Sequence, residues 1–158
     1  MSVFNKVLAV IGLVSSMSLA STASANPSKF AGDWLGKGTY ILRGDLYQCS
    51  VVKFGFSATD TGFVFEYGGR ECDKHKESFG RVEMTYKDGG LYYFGTKVGE
   101  YTDDKIEVSF SMPDDKGDMR HWRMSMRAEG NNLMYEERRI LNDETTPMIS
   151  FAGLMIKQ

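Results

Sequence analysis

From residue 33 onward the chain alternates apolar and polar positions, and the alternation is interrupted about every 10 to 14 residues by a short polar turn. In 105–112, Ile106, Val108, Phe110 and Met112 are apolar while Lys105, Glu107, Ser109 and Ser111 are polar. In 121–127, Trp122, Met124 and Met126 contrast with His121, Arg123, Ser125 and Arg127. A period of two with one wet face is the signature of a strand in an antiparallel sheet. The pattern predicts strands over 33–42, 46–57, 62–69, 77–87, 90–98, 105–112, 118–128, 132–141 and 147–156. The connections are Gly-, Asp- and Asn-rich, as in Arg43-Gly44-Asp45, Asp88-Gly89 and Gly130-Asn131. No segment carries a helical period. Evenly spaced strands joined by hairpin turns predict an all-β fold, an antiparallel up-and-down meander. Closing it into a barrel of 8–10 strands would remove its exposed edges.

Turn positions set strand register. A pivot at Asp60-Thr61 opposes Phe56 with Phe65, Phe54 with Tyr67, and Cys49 with Cys72. The aromatic pairs and the cysteine pair thus select the same register. By parity from Phe54 and Phe56, Cys49 then faces outward, unless a bulge near Gly68-Gly69 intervenes. A pivot at Asp88-Gly89 opposes Met84 with Tyr93. One at Gly130-Asn131 opposes Met126 with Tyr135 and Trp122 with Arg139.

The first thirty residues read differently. Lys6, the apolar run Val7 to Leu19 and the small-residue site Ala23-Ser24-Ala25 form a secretory signal peptide spanning 1–25. Its removal leaves residues 26–158 as a single barrel domain, expected in the periplasm or secreted. The balance of 19 basic to 21 acidic residues becomes 18 to 21 without Lys6, which argues against nucleic acid and anionic lipid as partners. No later apolar run is long enough to span a membrane. In an oxidising compartment Cys49 and Cys72 are expected to form a disulfide, closing about 24 residues for ~3 kcal/mol. Cys72-Asp73-Lys74-His75 has no second half and does not make a metal site.

In "FAGDWLGKGTY", residues 30–40, Trp34, Gly36, Gly38 and Tyr40 share one strand face. Gly32-Asp33-Trp34 resembles the G-x-W of the lipocalins and the wider calycin barrels. The resemblance implies an eight-stranded barrel whose tryptophan closes one end beneath a late arginine, here Arg139 or, failing it, Arg138. Ala31-Gly32-Asp33-Trp34 followed by Cys49 and Cys72 also looks like the small periplasmic inhibitors of bacterial metalloproteases. That second resemblance implies a barrel with one disulfide and an N-terminal arm, here Asn26-Pro27-Ser28-Lys29-Phe30, inserted into an enzyme's cleft.

No set of titratable residues composes a catalytic site, so no enzyme activity, metal or cofactor is expected. His75 falls in a charged stretch read as a solvated loop, and His121 has the parity of the polar face. Strand 132–141 holds the anomaly. If Leu133 and Tyr135 point inward, so do Glu137 and Arg139, beside Trp122. The pair could anchor a ligand's polar head, the strand could bend out of the core after Tyr135, or Arg139 could stack on the closing tryptophan. Tyr40, Phe54, Phe65, Tyr93, Phe110, Met124, Met126 and Tyr135 could line an apolar pocket for a lipid-like or aromatic molecule, although methionines fill irregular cores equally well. The expected function is an exported, non-enzymatic barrel binding a small apolar or amphiphilic molecule in its interior. The alternative is a protease inhibitor or partner-binding module using the N-terminal arm or an outer aromatic surface at Tyr92 and Phe94, which could also support self-association.

Overall fold

The computed structural model describes residues 27–113, 117–141 and 148–158. The expected signal segment 1–25 lies outside the described residues, as do most of the 114–117 turn and the start of the 147–156 strand. A 3-10 turn, Pro27–Phe30, precedes eleven strands: β1 Gly32–Leu42, β2 Asp45–Ala58, β3 Gly62–Cys72, β4 His75–Phe79, β5 Val82–Lys87, β6 Gly90–Tyr93, β7 Thr96–Tyr101, β8 Lys105–Pro113, β9 Met119–Glu129, β10 Asn132–Leu141 and β11 Ile149–Lys157. Apart from β4 and β5, each strand pairs antiparallel with the next, and β11 pairs with β1. β4 and β5 both pair with β3 in one continuous register, interrupted at Gly80-Arg81. They are therefore two halves of one wall position, and the molecule is a closed antiparallel up-and-down barrel of ten strands.

The expected strand 77–87 is this broken strand. The expected strand 90–98 is instead a tight hairpin turning at Phe94-Gly95, both at positive φ. Asp88-Gly89 also has positive φ at both positions, as a type I′ turn requires. The pairs Thr85–Tyr92, Met126–Tyr135 and Trp122–Arg139 fall in the registers that the turns predict.

The β2–β3 hairpin holds the main correction. Cys49–Cys72 and Phe56–Phe65 are opposed as expected, but Phe54 lies opposite Gly68, and Tyr67 opposite Gly55. Register shifts between Cys49 and Val51 and between Gly55 and Phe56 account for both facts. Each shift inverts the parity of the residues beyond it. Cys49 and Cys72 therefore face the interior, both 2 % exposed, and their disulfide is inside the barrel rather than outside. On β3 the shift turns Tyr67 out to donate to Asp33 (2.6 Å) and turns Arg70 in.

One end of the barrel is packed solid. Phe30, Trp34, Phe54, Phe63, Leu133 and Met155 have almost no exposed surface, and Trp34 Nε1 donates to the Phe30 carbonyl at 2.7 Å. Residues 27–30 are thus folded onto the barrel, with Pro27 and Phe30 buried, and do not project as an arm. Gly36 and Gly38 are there for close approach. A Cβ on Gly36 would sit 2.0 Å from the Leu154 carbonyl oxygen, and one on Gly38 would meet the Phe151 ring at 2.6 Å.

Candidate functional site

The opposite end of the barrel interior is polar. Four charged side chains from three strands converge there: Arg70 of β3, Glu77 of β4, and Glu137 and Arg139 of β10. Arg70 and Glu77 are opposed across β3 and β4, and the Arg70 guanidinium grips Glu77 through both Nε and Nη2. Its Nη1 reaches across the barrel to Glu137 at 3.2 Å. Arg139 Nε donates to Glu137 at 2.5 Å and its Nη1 to Glu77 at 3.4 Å. Tyr135 completes the set by donating its hydroxyl to Glu137 at 3.3 Å. Arg70 and Glu137 are 2 % and 1 % exposed and Arg139 8 %, whereas the Glu77 side chain retains 29 % of its surface. Two carboxylates and two guanidinium groups balance, which is how a barrel interior holds charge at tolerable cost.

Aromatic rings frame the charges. The Arg70 guanidinium lies between the Tyr40 and Phe151 rings, 4.7 Å from each centroid, and Arg139 stacks on Trp122 at 3.8 Å. Trp122 runs parallel to Phe110 across β8 and β9. Burial, with Glu77 next in effect, raises the Tyr40 hydroxyl above its ordinary range. Burial and then Glu137 push Tyr135 well above it. Both phenols therefore stay neutral donors at any ordinary pH.

Two donors in this cluster lack acceptors. Among the described residues, Arg139 Nη2 and Trp122 Nε1 are buried with no hydrogen-bond partner. They belong to two side chains stacked on each other, the guanidinium carbon 3.8 Å from the indole centroid. Leaving a buried donor unmade costs roughly 1–3 kcal/mol, more for a charged group. The barrel wall is also thin here. β4 pairs only with β3, the 109–113 part of β8 pairs only with β9, and the short β6–β7 hairpin ends between them. Glu77 and Phe79 stand on one side of this gap, Phe110 and Trp122 on the other.

The structure brings together part of the residue set expected from sequence. Glu137 and Arg139 do point inward beside Trp122, so β10 does not bend out of the core after Tyr135. Arg139 does not close the Trp34 end. Trp34 pairs with Lys157, whose ammonium lies 5.4 Å from the indole centroid. Arg139 pairs with Ile149, itself opposite Leu42, eight residues and about 26 Å along β1 from Trp34. Tyr40, Phe54, Met126 and Tyr135 pack against neighbours as buried core, which leaves Phe65, Phe110 and Met124 half-buried. Tyr93 is not a lining residue: it stands 38 % exposed at the hairpin tip, its ring 4.5 Å from that of Phe94. His75 is not in a solvated loop but half-buried in β4, edge-on to Tyr47 at 4.5 Å. His121 lies on the outer face as expected, its Nδ1 2.6 Å from the Ser111 hydroxyl. No group of three or more histidine, cysteine, aspartate or glutamate residues suited to a metal ion occurs among the described residues. None of the helices among them is long and apolar enough to cross a membrane.

No protein-family model and no curated protein matches the chain. Solved structures similar to it include two barrels. One is EF1p2_mFAP2b bound to DFHBI, at 10 % identity and a TM-score of 0.45, covering 82 % of this chain and 94 % of that one. The other is mFAP1, a redesigned β-barrel bound to DFHBI, at 11 % identity and a TM-score of 0.44, covering 85 % of this chain and 100 % of that one.

Proposed function

We propose that the protein is an exported, non-enzymatic, lipocalin-like barrel that holds a small amphiphilic molecule at the polar end of its interior. The observation that carries this reading is the pair of acceptor-less donors, Arg139 Nη2 and Trp122 Nε1. A carbonyl, hydroxyl or carboxylate oxygen set between them would accept from both. The apolar part of the molecule would lie against Phe110, Met124 and Phe79, the half-buried rings and thioether nearest these donors. The gap between β4 and β8 gives access from solvent. The solid packing around Trp34 restricts the ligand to this end and argues for a head group plus a short apolar body rather than a chain threaded through the barrel. Export is supported by the signal-like sequence of residues 1–25.

A second reading, partner binding through the outer aromatic surface, rests on Phe94. This side chain is 90 % exposed in a turn position that asparagine or glycine fills at less cost. The two readings separate in one experiment: native mass spectrometry of the protein purified from the exported fraction of its own cells. A small molecule released on denaturation, and lost from the Trp122→Phe/Arg139→Gln variant, supports the interior site. A bare polypeptide mass that pairs with a second protein counts against it.

A further inference from the structure

A groove of about 600 Å³ is lined by residues of β7 to β10, both the outward Glu107, Ser109, Arg123, Glu136 and Arg138 and the inward Val108 and Glu137. Two cross-strand rows form its floor. In one, Ser109, Arg123 and Arg138 are opposed in register across β8, β9 and β10. In the next, Glu107, Ser125 and Glu136 are opposed in the same way. Arg123 and Arg138 are thus like charges directly opposite each other, an arrangement that destabilises a strand pair. Several other exposed cations are matched: Lys76 with Glu71, Arg81 with Glu66 and Glu83, Lys97 with Glu100, Lys105 with Glu107. The side chains of Arg123 and Arg138 make no ion pair or hydrogen bond among the described residues. Glu107, in the same groove, is already taken by Lys105 at 2.8 Å.

We propose that Arg123 and Arg138 form a binding site for an oxyanion, the phosphate, sulfate or carboxylate group of a small molecule. Directly opposed residues of an antiparallel pair have Cβ atoms about 4.5–5.5 Å apart, so two guanidinium forks reach one tetrahedral or planar anion from both sides. The Ser109 and Ser125 hydroxyls flank that position as further donors. A bound anion turns the Arg–Arg repulsion into two charge-assisted contacts, which accounts for two arginines at adjoining wall positions. The groove is concave, with apolar Val98, Val108, Met124 and Ile140 lining it beside the arginines, a shape for the anionic group and apolar body of a small molecule and not for a flat lipid surface. By strand parity the Arg123 and Arg138 side chains are on the other side of the wall from Arg139, although Glu137 and Met124 of the interior site also border the groove.

The test follows the arginine Nε–H signals by NMR during titration with inorganic phosphate at constant ionic strength. The expected result is a saturable shift confined to Arg123 and Arg138, weakened about tenfold or more by Arg123→Gln or Arg138→Gln. Arg127→Gln, an outer-face change opposite Met134, leaves it intact. Without anion, Arg123→Gln raises the thermal midpoint, because it relieves repulsion, whereas a structural role for the arginine would lower it. A linear, unsaturable shift, or equal weakening by Arg127→Gln, overturns the site. Sedimentation with phosphatidic-acid vesicles separates the sources: binding to vesicles without binding of free phosphate overturns the small-molecule assignment.

Discussion

Glu137→Gln changes one atom at the centre of the buried network and tests the reasoning about it. The carboxylate accepts from Arg70, Arg139 and Tyr135 at once. Glutamine keeps the shape but replaces one acceptor oxygen with an amide that faces guanidinium donors. Two buried guanidinium groups then share Glu77, which is partly exposed. Removing one partner from a buried ionic set costs about 3–5 kcal/mol. At a urea dependence of about 1–3 kcal/mol/M, this moves the unfolding midpoint down by roughly 2 M, and the thermal midpoint by about 10–15 °C. The assay is urea unfolding followed by tryptophan fluorescence, with the slope checked for two-state behaviour. A loss below about 1 kcal/mol would refute the view that Glu137 is shared between the two guanidinium groups and Tyr135. Replacing all four charges with apolar side chains (Arg70→Met, Glu77→Leu, Glu137→Leu, Arg139→Met) is expected to leave stability near wild type or above it. If that variant is less stable than Glu137→Gln, the network stabilises the fold in its own right, and the argument that it serves a binding site fails.

Three further outcomes are expected. Replacing Cys49 and Cys72 with alanine lowers stability by about 3 kcal/mol, since the bond spans a separation of 23 residues; denaturant midpoints of the variant and wild type measure it. Alkaline titration followed at the phenolate absorbance should leave Tyr40, Tyr86 and Tyr135 protonated after the exposed tyrosines have ionised, because burial raises all three. Their folded values lie above the unfolded value near 10, so their contribution is complete below that pH and is lost as pH rises above it, with unfolding and ionisation coinciding. Phe94→Asn should raise the thermal midpoint, by about 1 kcal/mol in stability, because the position has φ +45° in an exposed two-residue turn; an unchanged or lower midpoint would mean that the ring's contact with Tyr93 outweighs the backbone strain.

The wall of the barrel was legible because period-two patterning and the Asp-Gly and Gly-Asn turns act locally. Trp122 opposite Arg139 and Met126 opposite Tyr135 follow from the turn at Gly130-Asn131 alone. Half of the polar site was legible by the same parity, since Leu133 and Tyr135 carry Glu137 and Arg139 inward with them. The other half was not. Arg70 sits beyond a register shift, so counting from Phe65 places it outside, and no feature of Glu66 marks it as the extra residue. Gly68-Gly69 was the available signal. Gly68 is where the Phe54 and Phe65 rings fill the space a side chain would need. The pairing of Trp34 with Lys157 was illegible for another reason: closure of β11 onto β1 depends on the whole circuit of strands and on no local turn.

The most direct measurement uses the chain's two tryptophans as reporter and reference. Each gives one indole N–H signal in a proton–nitrogen spectrum, and that of Trp34 is already committed to the Phe30 carbonyl. Decanamide and decanoate, each carrying an acceptor oxygen on a short apolar body, are titrated into the protein. The account predicts a saturable downfield shift of the Trp122 indole proton with one or both probes, an unmoved Trp34 signal, and loss of the effect in Arg139→Gln. A Trp122 signal that stays put at saturating concentrations of both probes, or a response at Trp34 instead, would contradict it.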